Sequence, residues 1–324
     1  MSESFTVGTR GSALATTQTA WAANQLAELS GLRADTVLVR TEGDVVTGSL
    51  ATLGGTGVFA AALRQHLLDA GCDLAVHSLK DLPTVQPQGL VLAAIPVRED
   101  VRDALCARDG LSLAQLPDGA KIGTGSPRRA AQLLAHRKDL QIVDIRGNVP
   151  TRLGRVKGVG ETLDDGSVGR TVQGDLDAVI LAAAGLHRLG MERHITEYLD
   201  PAIMLPAPGQ GALAVEVRST GSGAPELDAA LERFDDTATR WQVAAERALL
   251  NTLEAGCAAP IGALAHFEGE QLVLEAVACR PDGTQIMRQS HAAPVRDEAG
   301  ALDVGRVLAR QMLENGAAVI AGLA

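Results

Sequence analysis

Aromatic residues are nearly absent from this 324-residue sequence, at four Phe, two Trp and one Tyr, 2% in all. Proteins that grip single-stranded nucleic acid stack its bases on aromatic rings, so a supply this small argues against that class. Positive charge is short as well. The 29 Lys and Arg face 39 Asp and Glu, leaving a formal net charge of −10 and a pI near 5.2. Nucleic-acid and membrane-surface binders reward a basic face, so neither partner is expected. No apolar run is long enough to span a bilayer. The opening residues, Met1-Ser-Glu-Ser-Phe-Thr-Val7, hold no basic segment followed by an apolar one, which points to a cytoplasmic protein. The cysteines are few and scattered: Cys72, Cys106, Cys257 and Cys279 form no CxxC pair. That spacing suits a reduced compartment and supports neither a disulfide framework nor a zinc site. The seven histidines show no paired-ligand spacing, so no metal is expected. Lysine is scarce too, at four residues against 25 arginines. GC-rich coding accounts for the ratio, but not for where the arginines fall.

At 33.6 kDa the chain exceeds what one hydrophobic core usually supports, and two or three domains are expected. Its first third alternates short apolar strands (Phe5–Thr9, Thr36–Val39, Leu74–Val76, Leu90–Ile95) with helical patterns (Leu14–Leu29, Val58–Leu68). Such alternation predicts a largely parallel sheet covered by helices. Pro96 and the charged run Arg98–Arg102 break the pattern and mark a boundary. A second α/β unit follows, with strands at Ala104–Ala107, Ile122–Gly123, Ile142–Ile145 and Ala178–Ala182 and a helix at Pro127–His136. Pro127 suits the first helical turn, where a missing N–H costs nothing. The polar stretch Gly154–Gly174 reads as a loop or small hairpin. After the buried strand Ala212–Val217 and a Gly/Ser/Pro stretch, a helix spans Thr237–Leu253. Three strands and a helix from about Glu298 to Leu313 then make a small α+β tail. The expected division is 1–98 with 212–232, then 99–211, then 236–324.

Basic side chains recur in Gly-bearing turns just after predicted strands. They are Gly8-Thr-Arg10-Gly-Ser12, Gly123-Thr-Gly-Ser126-Pro-Arg128-Arg129, Arg146-Gly-Asn-Val-Pro-Thr-Arg152, and Arg188 beyond Ala178–Leu186. In open parallel sheets ligands bind beyond the carboxyl ends of strands, where helix N-termini also favour anions. Arginine presents a planar fork that matches a carboxylate. One such turn is ordinarily a solvated surface arginine; several at one topological end favour an anion-binding cleft. Neither a Walker loop nor GxGxxG follows any strand, so nothing singles out a nucleotide. His77-Ser-Leu-Lys80-Asp81-Leu-Pro83 follows another strand, and its Lys–Asp pair is either a turn device or a chemical one. In the second case Asp81 would stabilise a cation or assist proton transfer, and Lys80 would bind a further carboxylate. Cys257, in Ala255-Gly-Cys-Ala-Ala-Pro260, is either an inert thiol or a point of covalent attachment.

Taken together these segments resemble the porphobilinogen deaminase family, also called hydroxymethylbilane synthases. The stretches that carry the resemblance are Gly8-Thr-Arg-Gly-Ser-Ala-Leu-Ala15, Ala75-Val-His-Ser-Leu-Lys-Asp-Leu-Pro83, Gly123-Thr-Gly-Ser-Pro-Arg-Arg129 and Arg146-Gly-Asn-Val-Pro-Thr-Arg-Leu153. Ala182-Ala-Ala-Gly-Leu-His-Arg-Leu189, Pro206-Ala-Pro-Gly-Gln-Gly-Ala212 and Glu254-Ala-Gly-Cys-Ala-Ala-Pro-Ile-Gly262 continue it in the family's order across nearly the whole chain. The resemblance implies two periplasmic-binding-protein-like α/β domains around a cleft plus a small α+β C-terminal domain. It implies a monomeric transferase that joins four porphobilinogen molecules head to tail, releasing ammonia, to give the linear tetrapyrrole hydroxymethylbilane. The primer is a dipyrromethane cofactor, implied to be attached by a thioether to Cys257. Each pyrrole bears an acetate and a propionate, and the resemblance assigns their binding to Arg10, Ser12, Lys80, Ser126, Arg128, Arg129, Arg146, Arg152 and Arg188. Asp81 matches the family's catalytic aspartate, which would stabilise the azafulvenium cation left by departing ammonia.

Two departures stand out. Where the family often has lysines in and shortly before a Gly-Gly-Lys-Gly loop, this chain has Thr56 and Thr52, and Gly154–Gly174 is longer than usual. The competing readings are a non-catalytic carboxylate-binding protein of the same architecture and a cysteine hydrolase, the latter lacking a convincing base.

Overall fold

The computed structural model describes residues 3–39, 58–159, 174–256 and 259–323. Thr52, Thr56, Cys257 and most of the Gly154–Gly174 stretch lie outside the described residues. The first sheet is built from β1 (Ser4–Thr9), β2 (Arg33–Leu38), β3 (Leu74–Ser78), β4 (Leu90–Ala94) and β10 (Leu213–Arg218), in the order β2-β1-β3-β10-β4. α1 (Ala13–Ser30) follows β1 directly, with Ser12 as its N-cap accepting from the Ala15 N–H and Gly31 ending it in the left-handed region. α2 (Val58–Leu68) precedes β3. The sheet is largely parallel, as expected, with one reversed strand. β1 runs parallel to β2 and β3, but β10 is antiparallel to both β3 and β4. A strand that returns from beyond the second sheet enters from the opposite side, which local alternation does not reveal.

The second sheet repeats this mixed plan. Its strands are β5 (Asp103–Ala107), β6 (Lys121–Gly123), β7 (Gln141–Val143), β8 (Ala178–Ala182) and β9 (Glu197–Tyr198), in the order β7-β6-β8-β5-β9, with β5 antiparallel to β8 and β9. Three helices border its ligand end: α3 (Pro127–His136), α4 (Val149–Leu153) and α5 (Ala183–Arg188). The strand expected at Ala178–Ala182 is present, but Arg188, expected in a turn, is not in one. Arg188 closes a short helix, because the run of small apolar residues continues unbroken through the change of structure. α6 (Pro225–Phe234), with Pro225 in its first turn, packs against α1 and was not expected from the sequence pattern.

The C-terminal domain is an antiparallel sheet, β11 (Ile261–Glu268), β12 (Gln271–Cys279) and β13 (Ile286–Pro294). It is covered by α7 (Thr237–Thr252), α8 (Glu298–Glu314) and α9 (Ala317–Ala321). Its core is small and aliphatic: Leu249, Leu272, Leu274, Leu308 and Met312 are fully or almost fully buried. α7 and α8 cross so closely at Gly305 that a Cβ there would run into the Ala245 carbonyl and lie 2.9 Å from Ala248 Cβ. A glycine to alanine change inside a helix ordinarily gains about 0.5–1 kcal/mol, whereas overpacking costs about 1–3 kcal/mol. Gly305→Ala is therefore expected to lower the unfolding free energy, read as a reduced urea midpoint. An unchanged or raised midpoint would show that the crossing has slack.

Candidate active site in the cleft between the two α/β domains

The segments after β1 and β3 bring the first-domain residues together. Arg10, Ser12 and Asp81 line one small cavity of about 80 Å³ with Gln18, His77 and Ser78. Ser12 is engaged as the cap of α1, while Ser78 donates to Gln18 Oε1 at 3.0 Å. Lys80 and Asp81 sit in a single 3-10 turn, Leu79–Asp81, directly after β3. Asp81 is exposed and Lys80 half-buried. Behind them lies a buried polar group: Glu216 on β10 receives both Arg64 Nε and Nη2, lies 3.3 Å from His77 Nε2, and is held below the usual carboxylate range mainly by those two partners against the cost of burial.

On the facing domain Arg128 and Arg129 open α3 and are both buried, so they are not the solvated turn arginines that the sequence pattern alone would suggest. Asp103, at the start of β5, explains this. Its Oδ2 accepts from Arg128 Nη2 at 2.8 Å, and its Oδ1 from Arg129 Nη2 at 2.7 Å and Nε at 3.0 Å. Arg128 Nη1 also donates to the Leu205 carbonyl and Arg129 Nη1 to that of Ile180. Burial alone would raise the Asp103 pKa, but the two guanidiniums outweigh it and hold the carboxyl far below its ordinary range. Asp103 was missed in the sequence because it closes the charged run taken as a domain boundary. The available signal was a carboxylate abutting a wholly apolar strand.

The remaining cations follow β7 and β8. Arg146 is 3.6 Å from Asp144, and its Nε is buried with no hydrogen-bond partner. Arg152, on α4, donates through Nε to the Gly147 carbonyl at 2.8 Å. Its pKa is lowered by burial first and then by the neighbouring charges of Arg129 and Arg146, while Asp144 and Asp81 oppose the shift. Lys80 is likewise pushed down to about 8 by burial and then by Arg129, with Asp81 and Asp103 opposing and Arg128 adding to it. Residues of both domains thus share one electrostatic field, in which the five cations Lys80, Arg128, Arg129, Arg146 and Arg152 face the three carboxylates Asp81, Asp103 and Asp144. Arg188 stands apart. Its Nη2 donates to the Gly211 carbonyl at 2.7 Å, its nearest opposing charge is Glu99, and burial lowers its pKa to about 10. Ser126 precedes α3 as its N-cap residue, without capping it through its side chain.

Side chains of the two α/β domains thus meet with more cations than carboxylates, an arrangement that suits a polyanion. Residues 5–224 match the family model "Porphobilinogen deaminase, dipyromethane cofactor binding domain", and residues 241–314 match its C-terminal domain. A porphobilinogen deaminase of Micrococcus luteus is 58% identical over 88% of this chain and 80% of its own length. Another, of Cutibacterium acnes, is 51% identical over 98% of this chain and 96% of its own. Among solved structures, an ABC-transporter periplasmic substrate-binding protein of Coxiella burnetii aligns over 72% of this chain and 93% of its own, at 17% identity and a TM-score of 0.43. The chain belongs to the porphobilinogen deaminase family. It is accordingly a transferase of tetrapyrrole biosynthesis that polymerises porphobilinogen to hydroxymethylbilane and contains the domain that binds a dipyrromethane cofactor.

Because the folded Asp103 pKa is depressed, its stabilisation is complete above the unfolded value of about 3.9 and is lost as pH falls below it. Leaving two buried guanidiniums without their carboxylate costs about 3–5 kcal/mol. Asp103→Asn is expected to show that deficit in urea unfolding at pH 7 and a smaller one at pH 3. A deficit independent of pH would mean that the charge of Asp103 is not what holds the arginines.

Proposed function

We propose that polymerisation takes place in this cleft, with the dipyrromethane attached to Cys257 by a thioether and the cations of both walls holding the carboxylates of primer and growing chain. One observation carries this reading: Lys80 of one domain is joined to the Asp103–Arg128–Arg129 cluster of the other through Gln210, which accepts from Lys80 Nζ at 3.3 Å and donates to Asp103 Oδ1 at 2.9 Å. Cations held below their ordinary pKa by burial and mutual repulsion are those that gain most from an arriving carboxylate. The donor set fits the cofactor for the same reason. The surplus positive charge and the buried, unpartnered Arg146 Nε call for acceptors that acetate and propionate side chains provide. When bound, the dipyrromethane supplies the pyrrole carbon to which the first substrate is joined.

The residues of this chain divide the work by position. Arg10 and Ser12 share the small cavity with Asp81, and so hold substrate beside it. The exposed Asp81 carboxylate stabilises positive charge on the substrate as ammonia leaves. Arg128 and Arg129 are oriented by Asp103, and each terminal nitrogen keeps a second hydrogen for a ligand carboxylate. Arg146, Arg152, Lys80 and Ser126 extend the same wall, and Arg188 becomes available when it leaves the Gly211 carbonyl. Charge-assisted hydrogen bonds contribute about 1.5–3 kcal/mol each, so several of them retain a lengthening chain without a deep apolar pocket. The reading includes a monomer working in the cytoplasm on a free small molecule, with no nucleic acid or membrane as partner. The acidic composition supports it, and among the described residues no helix is long and apolar enough to cross a membrane.

Intact mass tests the attachment. The purified protein should exceed its sequence mass by one dipyrromethane and give an Ehrlich colour reaction, while Cys257→Ser should have the bare sequence mass. An active protein without the added mass would overturn the reading. Asp81→Ala should keep the adduct and bind porphobilinogen yet lose turnover by roughly 10²–10³-fold, the usual cost of removing one electrostatic stabiliser. Turnover near the native rate would remove Asp81 from the chemistry.

A further inference from the structure

The segment Pro206–Ala212 passes from the second domain back to the first, and Gln210 at its centre is wholly buried. Its amide nitrogen donates to the Val101 carbonyl at 2.8 Å and to Asp103 Oδ1 at 2.9 Å. Its Oε1 accepts from Lys80 Nζ at 3.3 Å. The two donated bonds decide which way the amide faces, because the reverse orientation would set Oε1 against a carbonyl and a carboxylate. The backbone is equally constrained. Gly209, at φ +74°, lies so close that a Cβ would be 3.2 Å from Leu79 Cγ, and a Cβ on Gly211, at φ +88°, would strike the Glu99 carbonyl. Arg98 Nε donates to the Gln210 carbonyl at 2.8 Å. Flanking glycines thus let the loop press between the Lys80 turn and the Glu99–Asp100 segment, and the side chain between them has one place to go.

We propose that Gln210 is a positioning residue for Lys80: its amide oxygen holds the ammonium at the junction of the two domains and ties it to the Asp103–Arg128–Arg129 cluster, so that cofactor and substrate carboxylates meet one preassembled group of cations. The inference rests on Lys80 being a carboxylate-binding residue, as proposed above. Arg128 and Arg129 face Lys80 from α3, Asp103 from β5 and Asp81 from its own turn. Beside these two cations and two carboxylates, the neutral amide is an acceptor that favours the charged amine without changing the net charge. Removing it lowers the fraction of Lys80 that is cationic, and replacing it by a carboxylate raises that fraction.

The test compares Gln210→Met and Gln210→Glu in the holoenzyme, with adduct mass and melting temperature confirming that each is loaded and folded. The alkaline limb of kcat/KM should move down by about half a pH unit or more in Gln210→Met and up in Gln210→Glu, with KM rising several-fold in the former while kcat changes less. The chain has only four lysines, so 13Cε labelling gives a direct reading: the resonance missing from Lys80→Met should titrate lower in Gln210→Met and higher in Gln210→Glu. In a Lys80→Met background the Gln210→Met change should have little further effect on KM. Should Gln210→Glu fail to fold, the direction of the Gln210→Met shift decides. Shifts of the same sign in both variants, no shift, or additive effects with Lys80→Met would overturn the role of Gln210. A Lys80→Met enzyme with native KM would instead overturn the assignment of Lys80 on which it rests.

Discussion

Asp103 lies wholly out of water at the first position of β5, with two guanidiniums and one amide converging on its two oxygens. None of these charges would be tolerated at that depth without the others, since a desolvated ion left alone costs several kcal/mol. The cluster orients the N-terminus of α3, fixes the direction of the Gln210 amide, and through it reaches Lys80 on the other domain. The arrangement is incompletely neutralised, one carboxylate serving two arginines. That deficit is what the proposed reading uses, since the carboxylates of the bound pyrroles would complete the neutralisation.

A second buried carboxylate joins the third domain to this framework. Glu246 on α7 accepts from Arg98 Nη1 and Nη2, from the Gly209 N–H in the crossover loop and from the Ala265 N–H on β11. Its neighbour Arg247 donates to the carbonyls of Leu82 and Pro83 at 3.2 and 2.7 Å, just past the turn that bears Lys80 and Asp81. α7, which precedes Cys257 in the chain, therefore also braces the turn that bears Lys80 and Asp81.

Much of the fold was legible because its elements carry strong patterns. The β8 run is apolar throughout, β3 and β5 are apolar except for His77-Ser78 and Asp103, and α3 and α7 begin at clear signals, Pro127 and Asp236. Elsewhere the pattern was ambiguous for identifiable reasons. Ala178–Leu186 is small and apolar on both sides of its strand-to-helix change, so no shift of period marks it. α6 follows a Gly/Ser/Pro stretch that reads as a linker, although Pro225 suits a first helical turn. The direction of β10 depends on which sheet edge is open when the chain returns, and no local feature records that.

The candidate site divides along the same line. The amino-acid sequence by itself determined the inventory: a family, an aspartate after β3, a cysteine beyond α7, and arginines collected at one end of two sheets. It did not decide which of those arginines are free to meet a ligand. Arg128 and Arg129 are committed to Asp103, some 25 residues away in the chain, and Lys80 to Gln210, 130 residues away. Such pairings carry little free energy in water, where charges are screened and amides are solvated. They become strong when folding removes the solvent, so the tertiary structure alone sets which donors of each cation hold the protein together and which remain for a ligand.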